Sequence, residues 1–161
     1  MEDINAIKKV DIERIQNEMK YLLKSENIPV NKVERIENND LHWKVVFDGP
    51  EETAYEDGIF TLEFIFPNNY PEKGPEARFI TKMFHPNVNS DVDNHVCINL
   101  LNKWDKKRTI EDVMLGIFDI LINPTVINAY PNEATTLLGE DIDKYYDTVE
   151  EYTYKYATHE L

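Results

Sequence analysis

The sequence has a single cysteine, Cys97, no Asn-x-Ser/Thr acceptor, no Ser/Gly linker, no internal repeat and no apolar run approaching 18 residues. Each absence excludes something. One cysteine cannot form an internal disulfide framework or an all-cysteine zinc site. Without a long apolar run nothing is expected to cross a bilayer. The opening stretch, MEDINAIKKVDIERI, lacks a basic run followed by an apolar block and so does not read as a secretory signal. Bases are scarce too: 17 Lys+Arg against 31 Asp+Glu leave a formal charge of −14. A surface that negative repels phosphate backbones and anionic lipid, so neither nucleic acid nor a membrane surface is an expected partner.

What is present is a chain of 161 residues, enough for a domain that hides roughly 68–70% of its unfolded surface without disulfide or metal staples. A single domain over residues 1–161, intracellular and cytoplasmic or nuclear, is expected. Its acidity is uneven. Residues 25–58 hold nine acids and three bases, and 135–161 hold seven acids and two bases, whereas 1–24 balance at five each.

Ile4, Ile7, Ile12, Ile15, Met19, Leu22 and Leu23 recur mostly at three- and four-residue spacings and predict an amphipathic helix over 4–24. Strands are predicted over Val30–Ile36, Leu41–Phe47, Ile59–Phe66 and Glu76–Thr81, separated by short turns such as Glu37-Asn38-Asn39-Asp40 and Asp48-Gly49-Pro50. Consecutive strands joined by short turns imply an antiparallel meander. Residues Met83–Lys107 are irregular. Thr109, followed by Glu111 and Asp112, caps a helix to about Leu121, which Pro124 ends. A further irregular stretch precedes a last helix over Asp141–Tyr156, with Ile142, Tyr145, Val149, Tyr152 and Tyr156 as its stripe. The layout is α+β: an N-terminal helix, a four-stranded antiparallel meander, then C-terminal helices.

Chemistry concentrates in the irregular block. Cys97 lies ten residues after His85-Pro86-Asn87 and seven before Trp104. A lone cysteine is by default a small buried hydrophobe, and its company changes that reading. Asn89, Asp91 and Asp93 alternate like the start of a calcium loop, but Asn94 and Leu100 stand where such a loop needs Gly and Glu, so no metal site is expected. His42, His85, His95 and His159 fall in no arrangement known for a cysteine hydrolase.

The runs LHWKVVFDGP (41–50), Tyr55–Phe60, FPNNYPEKGPEARF (66–79), FHPNV (84–88), VCINLLNKW (96–104), Thr109-Ile110 and KYA (155–157) span nearly the whole chain. In these runs the sequence resembles the ubiquitin-conjugating enzymes. The resemblance implies the α+β fold above and a role for Cys97 as acceptor of the modifier's C-terminal glycine, delivered as a thioester by an activating enzyme. A free thiol is only a few per cent thiolate at neutral pH, yet nucleophilic enough to exchange with another thioester. Discharge to a lysine amine is harder, since an oxyanion develops at the carbonyl, and one neutral donor to such an oxyanion is worth on the order of 3 kcal/mol. The family gives that role to Asn87, alongside holding the loop; His85 and Pro86 are loop-building residues. No cofactor is implied, as ATP is used by the activating enzyme.

Departures from the family pattern are also legible. The 88–96 loop is about two residues longer than usual. Where many members place an acid beside the acceptor lysine, this chain has Pro124–Tyr130, with Asn128 as nearest match. Ligase-facing loops hold Tyr70, Pro71 and Glu72, and Trp104, Asp105 and Lys106, where apolar and Ser-Pro-Ala-like residues are common; replacing an apolar knob by a carboxylate forfeits roughly 1.5–3 kcal/mol of burial. A ligase interface of unusual kind is therefore expected. Lys8, Lys9 and Arg14 correspond to the face that meets the activating enzyme. The rival readings are a conjugating enzyme for a ubiquitin-like modifier and an inert ubiquitin-binding variant domain, the latter opposed by the presence of Cys97.

Overall fold

The computed structural model describes residues 10–161. Helix α1 spans Ile12–Lys24, β1 Val30–Arg35, β2 His42–Asp48, β3 Ile59–Ile65 and β4 Glu76–Phe79. Two two-residue strands follow, β5 at Val88–Asn89 and β6 at His95–Val96, then a one-turn helix α2 at Asn99–Asn102. Helices α3 (Ile110–Ile122), α4 (Glu133–Glu140) and α5 (Ile142–Tyr156) complete the chain.

The predicted four-stranded antiparallel meander is present and is extended by the short pair into one sheet of order β1-β2-β3-β4-β6-β5. Period-two patterning sorts its faces. Trp43, Val45 and Phe47 on β2 and Phe60, Leu62 and Phe64 on β3 are buried against the helices, as is Phe79 of β4. Phe47 carries the contact onward to Phe60 (ring centroids 5.7 Å) and Phe118 of α3 (5.1 Å). Each of these buried side chains contributes ~1.5–3 kcal/mol relative to exposure. The opposite face is charged: Lys32, Glu34, Lys44 and Glu160 form one chain of ion pairs, and Glu63 pairs with Arg78 at 2.6 Å.

Helix α1 starts at Ile12 because Asp11 caps it, its side chain accepting from the Arg14 N–H at 3.0 Å. The predicted start near residue 4 lies outside the described residues. Of the predicted stripe, Ile15 and Leu22 are buried, while Leu23 is exposed; Glu18 takes the remaining inward position. Helix α3 begins as expected, Thr109 and Asp112 forming a reciprocal capping box. Its residues Ile110, Val113, Met114, Ile117 and Leu121 form the buried stripe. In α5, Tyr145 and Val149 are buried with Thr153, whereas Ile142 at the first turn is exposed. Helix α4 occupies part of the stretch expected to be irregular.

Candidate functional site

The ten-residue spacing between Asn87 and Cys97 is a hairpin register. Val88 pairs with Val96 and Asn89 with His95, and the next rung is the Cys97 N–H donating to the Asn87 carbonyl at 2.9 Å. A turn closes the far end, with Asn94 in the left-handed region (φ 57°) and its N–H donating to the Asn89 carbonyl. The 88–96 loop ends in this turn, where Asp93 reaches Arg78 at 4.0 Å. Among the described residues no cluster of three or more candidate metal ligands exists.

Below the hairpin, buried side chains replace regular backbone pairing. Pro124 has no N–H, so it cannot satisfy the Ile120 carbonyl four residues earlier in α3. The His85 Nε2–H donates to that carbonyl instead, at 2.7 Å. The other ring nitrogen, Nδ1, accepts from the Asn87 N–H at 2.9 Å. Both positions are therefore occupied by a neutral ring, and burial pushes its pKa down to about 4. Both ring nitrogens of His85 are thus committed to holding backbone. Pro86 is buried between these residues, and its carbonyl accepts from the Tyr130 N–H at 2.8 Å.

Asn87 is 2% exposed and acts as a staple. Its Nδ2 donates to the Cys97 carbonyl at 2.9 Å and to the Ile127 carbonyl at 3.0 Å, which uses both amide hydrogens. Its Oδ1 has no hydrogen-bond partner. Asn132 provides a second staple that the sequence reading missed. Its Nδ2 reaches the carbonyls of His85 and Val88, both at 3.2 Å, while its Oδ1 caps α4 through the Thr135 N–H. The sequence signal was there, an asparagine followed by Glu133 ahead of a helix.

Cys97 is partly exposed at the end of β6, just before α2. Asn102, the last residue of α2, turns its amide edge to the sulfur: Nδ2 donates to Sγ at 3.2 Å, and Oδ1 lies 3.7 Å away. Tyr130 is held above the ordinary tyrosine pKa by burial first and then by the neighbouring Cys97 and Asp93. Neither Asn102 nor Tyr130 was singled out from the sequence. Asn128 is exposed with a left-handed backbone (φ 56°) and lines a cleft with Asn87, Ile98, Thr125 and Asp119, to one side of the sulfur.

The residues expected to face a ligase and the activating enzyme come together in a second cluster. Tyr70 is fully buried, its hydroxyl donating to Glu18; it holds the loop from inside and is not itself a contact surface, a correction to the expectation. The Glu18 Oε1 also accepts from the Ile110 N–H at 3.0 Å, one of the unpaired donors at the start of α3. Burial holds Glu18 above the usual carboxylate range, against the lowering effect of Tyr70, Ile110 and Arg14. Trp104 Nε1 donates to the Pro71 carbonyl at 2.8 Å. Any Cβ on Gly74 would lie 2.6 Å from the Trp104 ring, so only glycine lets these loops close.

Arg14 is drawn into the same cluster. Its guanidinium donates to the carbonyls of Lys106 and Arg108, both at 2.6 Å, and lies over the Tyr70 ring at 5.4 Å. Arg14 was expected on the activating-enzyme face, and here its head group is committed to the 104–108 loop. Lys8 and Lys9 lie outside the described residues. Glu72, Asp105 and Lys106 remain exposed, with Lys106 Nζ 3.4 Å from Glu72 Oε1.

Comparison with known proteins agrees with this architecture. Residues 14–153 match the family model described as ubiquitin-conjugating enzyme. The structure is similar to the E2 domain of a Toxoplasma gondii ubiquitin-conjugating enzyme, with TM-score 0.81 and 26% identity over 91% of this chain and 99% of that one. It is also similar to a Plasmodium yoelii protein described as a candidate ubiquitin-conjugating enzyme, with TM-score 0.83 and 29% identity over 92% and 96% of the two chains.

Proposed function

The chain belongs to the ubiquitin-conjugating enzyme family, and from that premise we propose that it is an acyltransferase that carries ubiquitin as a thioester on Cys97. The activating enzyme delivers the modifier, and this chain passes it to a substrate lysine or to a ligase. The observation that carries the reading is the placement of Cys97: the only thiol of the chain, partly exposed, on a backbone held from below by Asn87. In loading, the Cys97 sulfur attacks the incoming thioester carbonyl and the activating enzyme's thiol leaves, an exchange nearly balanced in free energy. In discharge, an amine nitrogen attacks, a C–N bond forms and the C–S bond breaks. No cofactor is needed by this chain, since ATP is consumed earlier, by the activating enzyme.

Asn87 holds the Cys97 carbonyl in the resting enzyme. Oxyanion support from the same amide requires it to release one acceptor, and we assign that release to the Ile127 carbonyl, in the exposed stretch 125–128. His85 takes no part as an acid or base, being neutral with both nitrogens engaged. The ligase interface consists of the exposed rim of the second cluster, Glu72 with Asp105 and Lys106, supported by Pro71 and Trp104. Its charge sets it apart from the apolar knob common in the family.

The test is a non-reducing gel after incubation with ATP, ubiquitin and its activating enzyme. A thiol-sensitive adduct absent from Cys97→Ala, and turned into a thiol-resistant oxyester by Cys97→Ser, is the expected result. An adduct formed only with a ubiquitin-like modifier and its own activating enzyme would transfer the reading to that modifier. No adduct with any modifier refutes both. Asn87→Ala is expected to load normally and discharge slowly.

A further inference from the structure

Loading and discharge both pass through negative charge on the Cys97 sulfur, and Asn87 cannot meet it. Both of its amide hydrogens point to backbone carbonyls, and its free Oδ1 is an acceptor. Another neutral side chain donates to the sulfur: Asn102 presents its Nδ2–H at 3.2 Å from the end of α2.

We propose that Asn102 is a positioning residue that stabilises the Cys97 thiolate, as nucleophile in loading and as leaving group in discharge. The inference rests on the thioester function proposed above and assigns its sulfur-side donor. In discharge the amine donates its lone pair to the carbonyl carbon, the C–S electron pair returns to Sγ, and the proton lost from nitrogen goes to solvent. Hydrogen bonds to an ionised partner are stronger than those to a neutral one, so this contact strengthens as the C–S bond breaks.

Cys97 is the only cysteine, so alkylation of the full chain by iodoacetamide reports on this sulfur alone and needs no modifier. Rates are measured from about pH 6 to 9 on the wild type, Asn102→Ala and Asn102→Asp. Asn102 is exposed, so both variants are expected to melt with the wild type. Asn102→Ala is expected to slow alkylation about threefold near neutral pH and to move the rate profile to higher pH. Asn102→Asp, which keeps the shape and replaces the donor by a negative acceptor, is expected to slow it about tenfold. Single-turnover discharge to free lysine should fall in the same order. Superimposable alkylation profiles would overturn the inference, because a merely structural role leaves the pH dependence in place. Failure of the wild type to take any modifier would instead refute the proposed function, leaving the alkylation profiles to decide the thiolate assignment.

Discussion

Two loop clusters lie at opposite ends of α3, and both are held by a buried polar side chain rather than by regular pairing. At the Cys97 cluster the staples are neutral: His85 and Asn87, aided by Asn132. At the α1 cluster the staple is a carboxylate, Glu18, joined to Tyr70, Ile110 and Arg14. The difference is one of purpose. A neutral staple fixes backbone without placing a charge near a sulfur that must itself become negative. A carboxylate makes stronger bonds to the start of a helix, and its charge does no harm far from the chemistry.

The largest effect is expected from Glu18→Ala. It leaves the buried Tyr70 hydroxyl and the Ile110 N–H without a partner, a loss of ~4 kcal/mol measured by urea denaturation. Alkylation of Cys97 should be unchanged in the folded variant. A matching drop in Cys97 reactivity would break the separation of the two clusters.

Acid should act on the clusters in opposite directions. The His85 pKa is lowered to about 4 from an ordinary value of 6.5, so between these the unfolded chain binds the extra proton. The stability that His85 contributes is whole above pH 6.5 and is lost on acidification toward pH 4, by ~3 kcal/mol. Glu18 lies above its ordinary value of 4.5, so there the folded chain binds the extra proton, and acidification through that window adds stability. Glu18→Gln removes the gain and should steepen acid unfolding. His85→Gln, though weaker at pH 7, should flatten it. Identical pH slopes in the two variants would refute the assignment.

Asn132→Ala should cost ~2 kcal/mol, since it removes the α4 cap and the two carbonyl contacts that hold residues 85–88. Hydrogen exchange should rise at both α4 and the β5–β6 hairpin, whereas loss of the cap alone would affect only α4.

Asn132 also shows where sequence reading reaches its limit. The four long strands and the α3 capping box were legible because they are local: alternation, turn residues, and Thr109 three residues before Asp112. The Cys97 neighbourhood was legible only in part. A cysteine ten residues after His-Pro-Asn marked the hairpin ends, but nothing in the spacing says that Asn102 donates to the sulfur, because that contact is made by the turn of helix that follows Cys97. Glu18 carried a readable sign, a carboxylate three residues after Ile15 and four before Leu22 on the inward stripe. Its partners Tyr70 and Ile110 lie 52 and 92 residues away, and no periodicity finds them.

The smallest effect on stability is expected at the rim of the second cluster. Lys106→Ala removes an exposed ion pair with Glu72, worth no more than ~0.5 kcal/mol. The Lys106 carbonyl still accepts from Arg14 in that variant, so the loop keeps its inner anchor. Arg14→Ala removes that anchor and the one on Arg108 together, and should loosen residues 104–108 as seen by hydrogen exchange. If the rim is the ligase surface, Lys106→Ala should melt and load like the wild type and be slowed only in ligase-stimulated transfer, whereas Arg14→Ala should lose stability as well. Equal ligase-stimulated transfer in Lys106→Ala and the wild type would remove the rim from the interface and leave the second cluster with the single task of holding α1 to α3.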